Sequence, residues 1–146
     1  VGKKKEKITQ EIVVVLNTNI VVSAILFKGK VSTLMALWHN GTIKPVMTKE
    51  IFDEIHAVLK YPKFMLTKHE IDYILNEELL LFFDVITDNY PNISVCKDED
   101  DDKFIRCALS AKAKYIITGD KELLQIKKYK DIEIMSCNQF LNLFKK

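Results

Sequence analysis

The sequence predicts an α/β domain with a central parallel sheet and helices on both faces, and three observations carry that expectation. Ile12-Val13-Val14-Val15-Leu16 and Tyr115-Ile116-Ile117-Thr118 are continuous β-branched or aromatic runs, the mark of strands buried on both sides. Between such runs lie amphipathic stretches opened by recognisable caps, the pattern of βαβ units with right-handed crossovers. With 4 Gly and 3 Pro in 146 residues and 48% hydrophobic content, the chain is built to fold rather than to link or remain disordered.

Taken in order, the first strand is Ile12 to Leu16, followed by the polar triplet Asn17-Thr18-Asn19 and a second apolar run, Ile20 to Phe27. Val31 to Trp38 carries apolar residues at Val31, Leu34, Met35 and Trp38 and stops at Asn40-Gly41, as a helix would. Ile43 to Met47 reads as a strand in which Pro45, lacking an N–H, belongs at an edge or near the start. Thr48 caps a helix with an apolar stripe of Ile51, Ile55, Val58 and Leu59, stopped before Pro62. Thr67-Lys-His-Glu70 is a capping box ahead of a long helix reaching about Phe83. Its end, Leu79-Leu80-Leu81-Phe82-Phe83, reads as core rather than interface. A helix follows from about Asp101 to Ala113, then the strands 115–118 and 132–135. Ser136-Cys-Asn-Gln139 is a capping box for a last helix toward Phe144.

Composition excludes several classes of function. At 146 residues one domain is expected. The apolar runs fall far short of the ~20 residues that span a bilayer, and the basic N-terminus has no apolar stretch of signal-peptide type behind it. Val1 and Gly2 read as residues left by cloning. Cys96, Cys107 and Cys137 form no C-x-x-C pair and are an odd number, so they read as reduced, packed thiols in a cytoplasmic protein. The 22 Lys+Arg and 20 Asp+Glu nearly cancel, so the distribution of charge carries more than its sum. Five consecutive acids, Asp98 to Asp102, stand against basic clusters at Lys3–Lys5, at Lys127, Lys128 and Lys130, and at Lys145-Lys146.

Ligands of open α/β sheets bind outside the carboxyl ends of the strands. Asn17 and Asn19 follow the first strand there, Asp120 follows the strand at 115, and the acidic run opens the helix that feeds that strand. At 100° per residue Glu54 falls about 40° from Val58 and about 60° from Ile51, on the shoulder of the apolar stripe, with Asp53 on the solvated side. An EF-hand loop starting at Asp98 fails, because Lys103 stands at its sixth position and Leu109 at its twelfth. Asp101 and Asp102 both face the Ile105–Leu109 side, and spacing does not choose between them. Converging carboxylates repel, and a hard divalent cation relieves them; such centres commonly act on phosphate esters.

Val14-Val15-Leu16-Asn17-Thr18-Asn19-Ile20, Glu54 in Ile51-Phe-Asp-Glu-Ile, Asp98 to Ile105, and Thr118-Gly-Asp120-Lys-Glu-Leu-Leu together resemble the acidic motifs of PIN domains. The likeness runs from about residue 12 to 143, and is greatest to the toxin components of toxin–antitoxin pairs related to VapC. The resemblance implies a three-layer α/β/α fold with a central parallel sheet, a single domain over 8–146, and a basic extension over 1–7. It further implies a Mg²⁺- or Mn²⁺-dependent endoribonuclease that cuts RNA phosphodiesters with metal-activated water, an antitoxin partner and a homodimer. It selects Asp102 over Asp101. The implied catalytic and metal-site positions are Asn17, Glu54, Asp102 and Asp120, with Asn19 and Thr118 supporting them. Lys103 or Arg106 would meet the RNA backbone.

The chain departs from the family at Asn17, where an Asp is usual. An amide oxygen is a neutral, weaker ligand for a hard cation, so the expected activity is attenuated or lost, whether the change is natural or introduced. The alternative is a PIN-like module that binds RNA or protein without chemistry. A receiver-type signalling domain would need an acid pair beside the first strand and an Asp ending the third; only Glu6 and Glu11 precede Ile12, and no such Asp is evident.

Overall fold

The computed structural model describes residues 11–144. The expected basic extension over 1–7, the start of the domain at residue 8 and the Lys145-Lys146 pair lie outside the described residues. The elements are β1 (Ile12–Leu16), α1 (Thr18–Leu26), α2 (Thr33–His39), β2 (Ile43–Thr48), α3 (Lys49–Leu59), α4 (Lys68–Tyr73), β3 (Asp84–Ile86), α5 (Asp102–Ala111), β4 (Tyr115–Ile117), α6 (Lys121–Ile126), β5 (Lys128–Tyr129), β6 (Ile132–Met135) and α7 (Cys137–Asn142). Six strands form one sheet in the order β3-β2-β1-β4-β6-β5. All neighbours are parallel except the β5–β6 hairpin. With seven α-helices among the described residues, this is the expected three-layer α/β fold.

The β-branched run of β1 is central for the reason its composition implied. Val14, Val15 and Leu16 are 0–2% exposed, each contributing about 1.5–3 kcal/mol of apolar burial. α5 lies across β1, β2, β3 and β4, with Phe104, Ile105, Cys107 and Ala108 in the core. Sheet order turns at β1: β2 and β3 extend to one side, β4, β6 and β5 to the other. Leu16 and Ile117 are register partners, and the Asn17 amide donates to the Ile117 carbonyl at 3.0 Å. Asn17 and Thr118 therefore leave the sheet side by side at its topological switch point.

Three expectations need correction. Pro45 sits inside an interior strand opposite Val14, rather than at an edge or start. It is tolerated because β3 begins to pair only at Val46, so the β3 flank is still open where the proline stands. The long helix after the Thr67–Glu70 capping box is shorter than expected: α4 passes into a wider π-type turn over Ile74–Leu79 and ends there. The apolar cluster that follows is consequently split. Leu79 and Phe83 are buried while Leu80 and Leu81 are 46% and 63% exposed, because the chain leaves the helix at Leu79 and the turn that follows carries those two leucines outward before Phe83 returns to the core. Unanticipated elements are α1, which turns the apolar run after Asn17 into a helix, and the short β3, β5 and α6.

Candidate metal centre

The site begins with the cap of α1. Asn17 stands in extended conformation at the N-cap, and its Oδ1 accepts the Asn19 amide at 3.0 Å. Asn and Asp serve equally well there. The next residue, Thr18, is buried and donates its hydroxyl to Glu54 Oε1 from α3, so the end of β1 is tied to the shoulder of that helix. The other Glu54 oxygen lies 3.4 Å from the ammonium of Lys103, whose side chain is only 5% exposed. Lys103 also donates to the Asp100 carbonyl at 2.6 Å, which locks the start of α5 against α3.

Asp101 and Asp102, inseparable on the helical wheel, part company in space. Asp102 is buried, and its Oδ1 accepts the amides of Val95 at 2.9 Å and Cys96 at 2.7 Å. Burial alone would raise this carboxyl, but the Cys96 and Val95 amides, the Cys96 thiol and Arg106 outweigh it and hold it below its usual range. Asp101 sits in the short 3₁₀ turn before α5 and points to the rim, where it meets Asp120 and Glu122. One carboxylate oxygen from each of the three lies within 4.8 Å of the others. Asp120 caps α6, accepting the amides of Glu122 at 2.8 Å and Leu123 at 3.2 Å, while the Thr118 hydroxyl accepts the Asp120 amide at 3.0 Å.

The electrostatics follow from this crowding. Burial, and then the neighbouring Asp120 and Asp98, push the Asp101 carboxyl up to about 6. The Cys96 thiol is pushed up to about 12 by burial first, then by its hydrogen bond to Asp102 and the charges of Asp102, Asp101 and Asp120. It is a neutral neighbour, not a nucleophile. Among the described residues none of Asp101, Asp120 and Glu122 forms an ion pair. An all-oxygen set of unbalanced carboxylates fits a hard divalent cation with retained waters.

Arg106 and Lys103 are not placed to meet a nucleic-acid backbone. Arg106 is clamped by Asp88 and Glu50, each at 2.8 Å, and Lys103 is buried against Glu54. Sequence reasoning passed over Thr18, Glu122 and Cys96, and it set Asp101 aside for Asp102 on the resemblance alone. Thr18 and Glu122 lie within the quoted motifs, and their proximity to chemistry was readable there. Cys96 comes from a loop whose path only the fold reveals.

Comparison with known proteins agrees with this geometry. Residues 13–122 match the PIN domain family. An uncharacterized protein of Methanocaldococcus jannaschii is 34% identical over 133 residues, 86% of this chain and 80% of the relative. No solved structure matches significantly. The chain belongs to the PIN-domain family, whose members are generally metal-dependent nucleases. Among the described residues no helix is long and apolar enough to cross a membrane.

Proposed function

We propose that this chain is a divalent-cation-dependent endoribonuclease, attenuated by Asn17. The observation that carries the reading is the convergence of Asp101, Asp120 and Glu122 at the switch point of a PIN-family sheet. The cation, Mg²⁺ or Mn²⁺, would be held by Asp120 and by the acids opening α5, with Glu54 and Asn17 completing the set. When bound, it lowers the pKa of water and neutralises charge building on a phosphoryl group.

The protein's own part is positioning. Thr18 and Lys103 fix both oxygens of Glu54. The Val95 and Cys96 amides fix Asp102, and Thr118 fixes the turn that carries Asp120. Asp102 thus has the stiffer mooring, and Asp101 stands with the rim trio. The resemblance favours Asp102 as a ligand; the rim geometry adds Asp101 and Glu122. A role as the toxin of a toxin–antitoxin pair, with an antitoxin and a second copy of the chain as partners in the cytoplasm, rests on the resemblance.

A second reading is favoured by Asn17 itself: a module that binds RNA or protein and has lost its chemistry. One experiment separates the two. A fluorescent single-stranded RNA is incubated with Mn²⁺ and either this chain or its Asn17→Asp variant. Cleavage that rises sharply in the variant supports the attenuated nuclease. Silence from both over a broad RNA panel removes the general nuclease and leaves the binding module.

A further inference from the structure

Beside the acidic rim the surface changes character. A groove of about 580 Å³ starts at Asn19, whose amide is bonded to Asn17, and follows α1 through Ser23 and Leu26 to Phe27; its other wall is Lys63 and Phe64. From Asn19 to Phe27 it covers about 12 Å of helix. The far wall is a short 3₁₀ turn, Pro62–Phe64, held by the Phe64 amide on the Tyr61 carbonyl and the Met65 amide on the Pro62 carbonyl, both 3.0 Å. Tyr61 and Phe64 have parallel rings, 2° apart in tilt with centroids 6.5 Å apart, and Phe27 approaches Phe64 at 6.1 Å. Phe27 is 54% and Tyr61 49% exposed, although both are large aromatic residues that a core would ordinarily take.

The charge in the lining of the groove is that of Lys63. Lys63 stands 5.2 Å from the centre of the Phe64 ring, and the exposed Lys28, Lys30 and Lys60 flank Phe27 and Tyr61 in sequence. None of the residues lining the groove is acidic. Aromatic faces interleaved with lysines, in a track that begins at Asn19 beside Asn17, have the chemistry of a single-strand platform. Bases stack on the rings, and the ammonium groups follow the phosphates. A helical protein partner would instead be met by a continuous apolar trough with anchors at one face, and Asn19, Ser23 and Lys63 interrupt this one.

We propose that Phe27, Tyr61, Lys63 and Phe64 form a stacking shelf that holds unpaired bases of a single-stranded RNA and leads its backbone to the acidic rim. The proposal rests on the nuclease reading for its ligand, and adds where the strand lies.

The test is anisotropy of a short fluorescein-labelled single-stranded RNA in EDTA, so that binding is read without cleavage. The Phe27→Ala/Tyr61→Ala double variant is expected to bind about tenfold more weakly or worse, and Tyr61→Trp to restore affinity. Lys63→Gln is expected to lower the salt slope by roughly 0.7. Thermal melts confirm that these surface variants fold. Equal binding by native and double variant overturns the shelf, as does equal affinity for duplex and single-stranded RNA. If the double variant loses self-association while keeping RNA affinity, the face is a protein interface and the proposal is wrong. Each of these failures leaves the Asn17→Asp cleavage result untouched, so the shelf and the nuclease fall separately.

Discussion

Helix α5 meets two acid-rich clusters, one at Arg106 and one at its N-terminal end, and they are built on opposite principles. Around Arg106 the charges are balanced: the guanidinium, 14% exposed, takes Asp88 and Glu50 at 2.8 Å each. Those two pairs more than offset the cost of its burial and hold its pKa above the ordinary value. One turn back, at the N-terminal end of the same helix, Asp101, Asp120 and Glu122 crowd together without an ion pair among the described residues. A fold that can satisfy three charges so completely at one point of α5 leaves three unsatisfied at another. The first cluster holds the loop before α5 to α3; the second is left open for a cation. Net charge and composition do not separate the two, and only the pairing geometry does.

The sharpest way to break this contrast is to remove a rim acid. In an Asn17→Asp background, Asp120→Ala is expected to cut RNA cleavage by at least about a hundredfold. The lost cap of α6 should cost only about 1 kcal/mol in a denaturant melt. Near-native cleavage by this variant would mean that the rim is not the chemical centre.

The balanced cluster should respond the other way. Arg106→Ala leaves Asp88 and Glu50 unpaired, and is expected to cost about 2 kcal/mol of stability by urea unfolding while leaving Mn²⁺ affinity within a factor of a few. A loss of cation binding with little change in stability would reverse the roles assigned to the two clusters.

Asp101 sharpens the contrast through pH. Its carboxyl is raised to about 6, above its unfolded value, so the folded state holds a proton that the unfolded chain has lost. Without a cation, this group's contribution should therefore fall as pH rises from about 4 through about 6. Asp101→Asn should flatten that part of the stability profile and weaken Mn²⁺ binding about tenfold at neutral pH. Thermal melts across pH and Mn²⁺ titration check both. The smallest effect on stability belongs to Asn17→Asp: since both residues cap equally, the melting temperature should barely move while cation affinity rises.

Much of this was readable in the chain. The β-branched runs placed β1, β4 and β6, because a strand buried on both faces must be apolar throughout. Thr48, Thr67 and Ser136 announced their helices through caps, and each is a cap in the fold. Local rules could not see that β3 stops short of Pro45, since that depends on a partner about forty residues away. Nor could they divide Asp101 from Asp102: both lie on one wheel face, and the Val95–Cys96 amides that draw Asp102 inward come from an irregular loop with no periodicity to read. Asn17, Glu54, Asp102 and Asp120 were named from spacing and resemblance. That Thr18 and Lys103 hold the two oxygens of Glu54 emerges only when α1, α3 and α5 are brought together.

The most direct measurement is Mn²⁺ binding followed by the electron paramagnetic resonance of the free ion, in three proteins side by side. These are the chain itself, an Asp101→Asn/Asp120→Asn double variant, and a Glu50→Gln/Asp88→Asn double variant. Saturable binding by the first and third, with loss in the second, is the expected result. Equal uptake by all three, or loss only when Glu50 and Asp88 are changed, would contradict the claim that the unpaired acids at the switch point are the cation site.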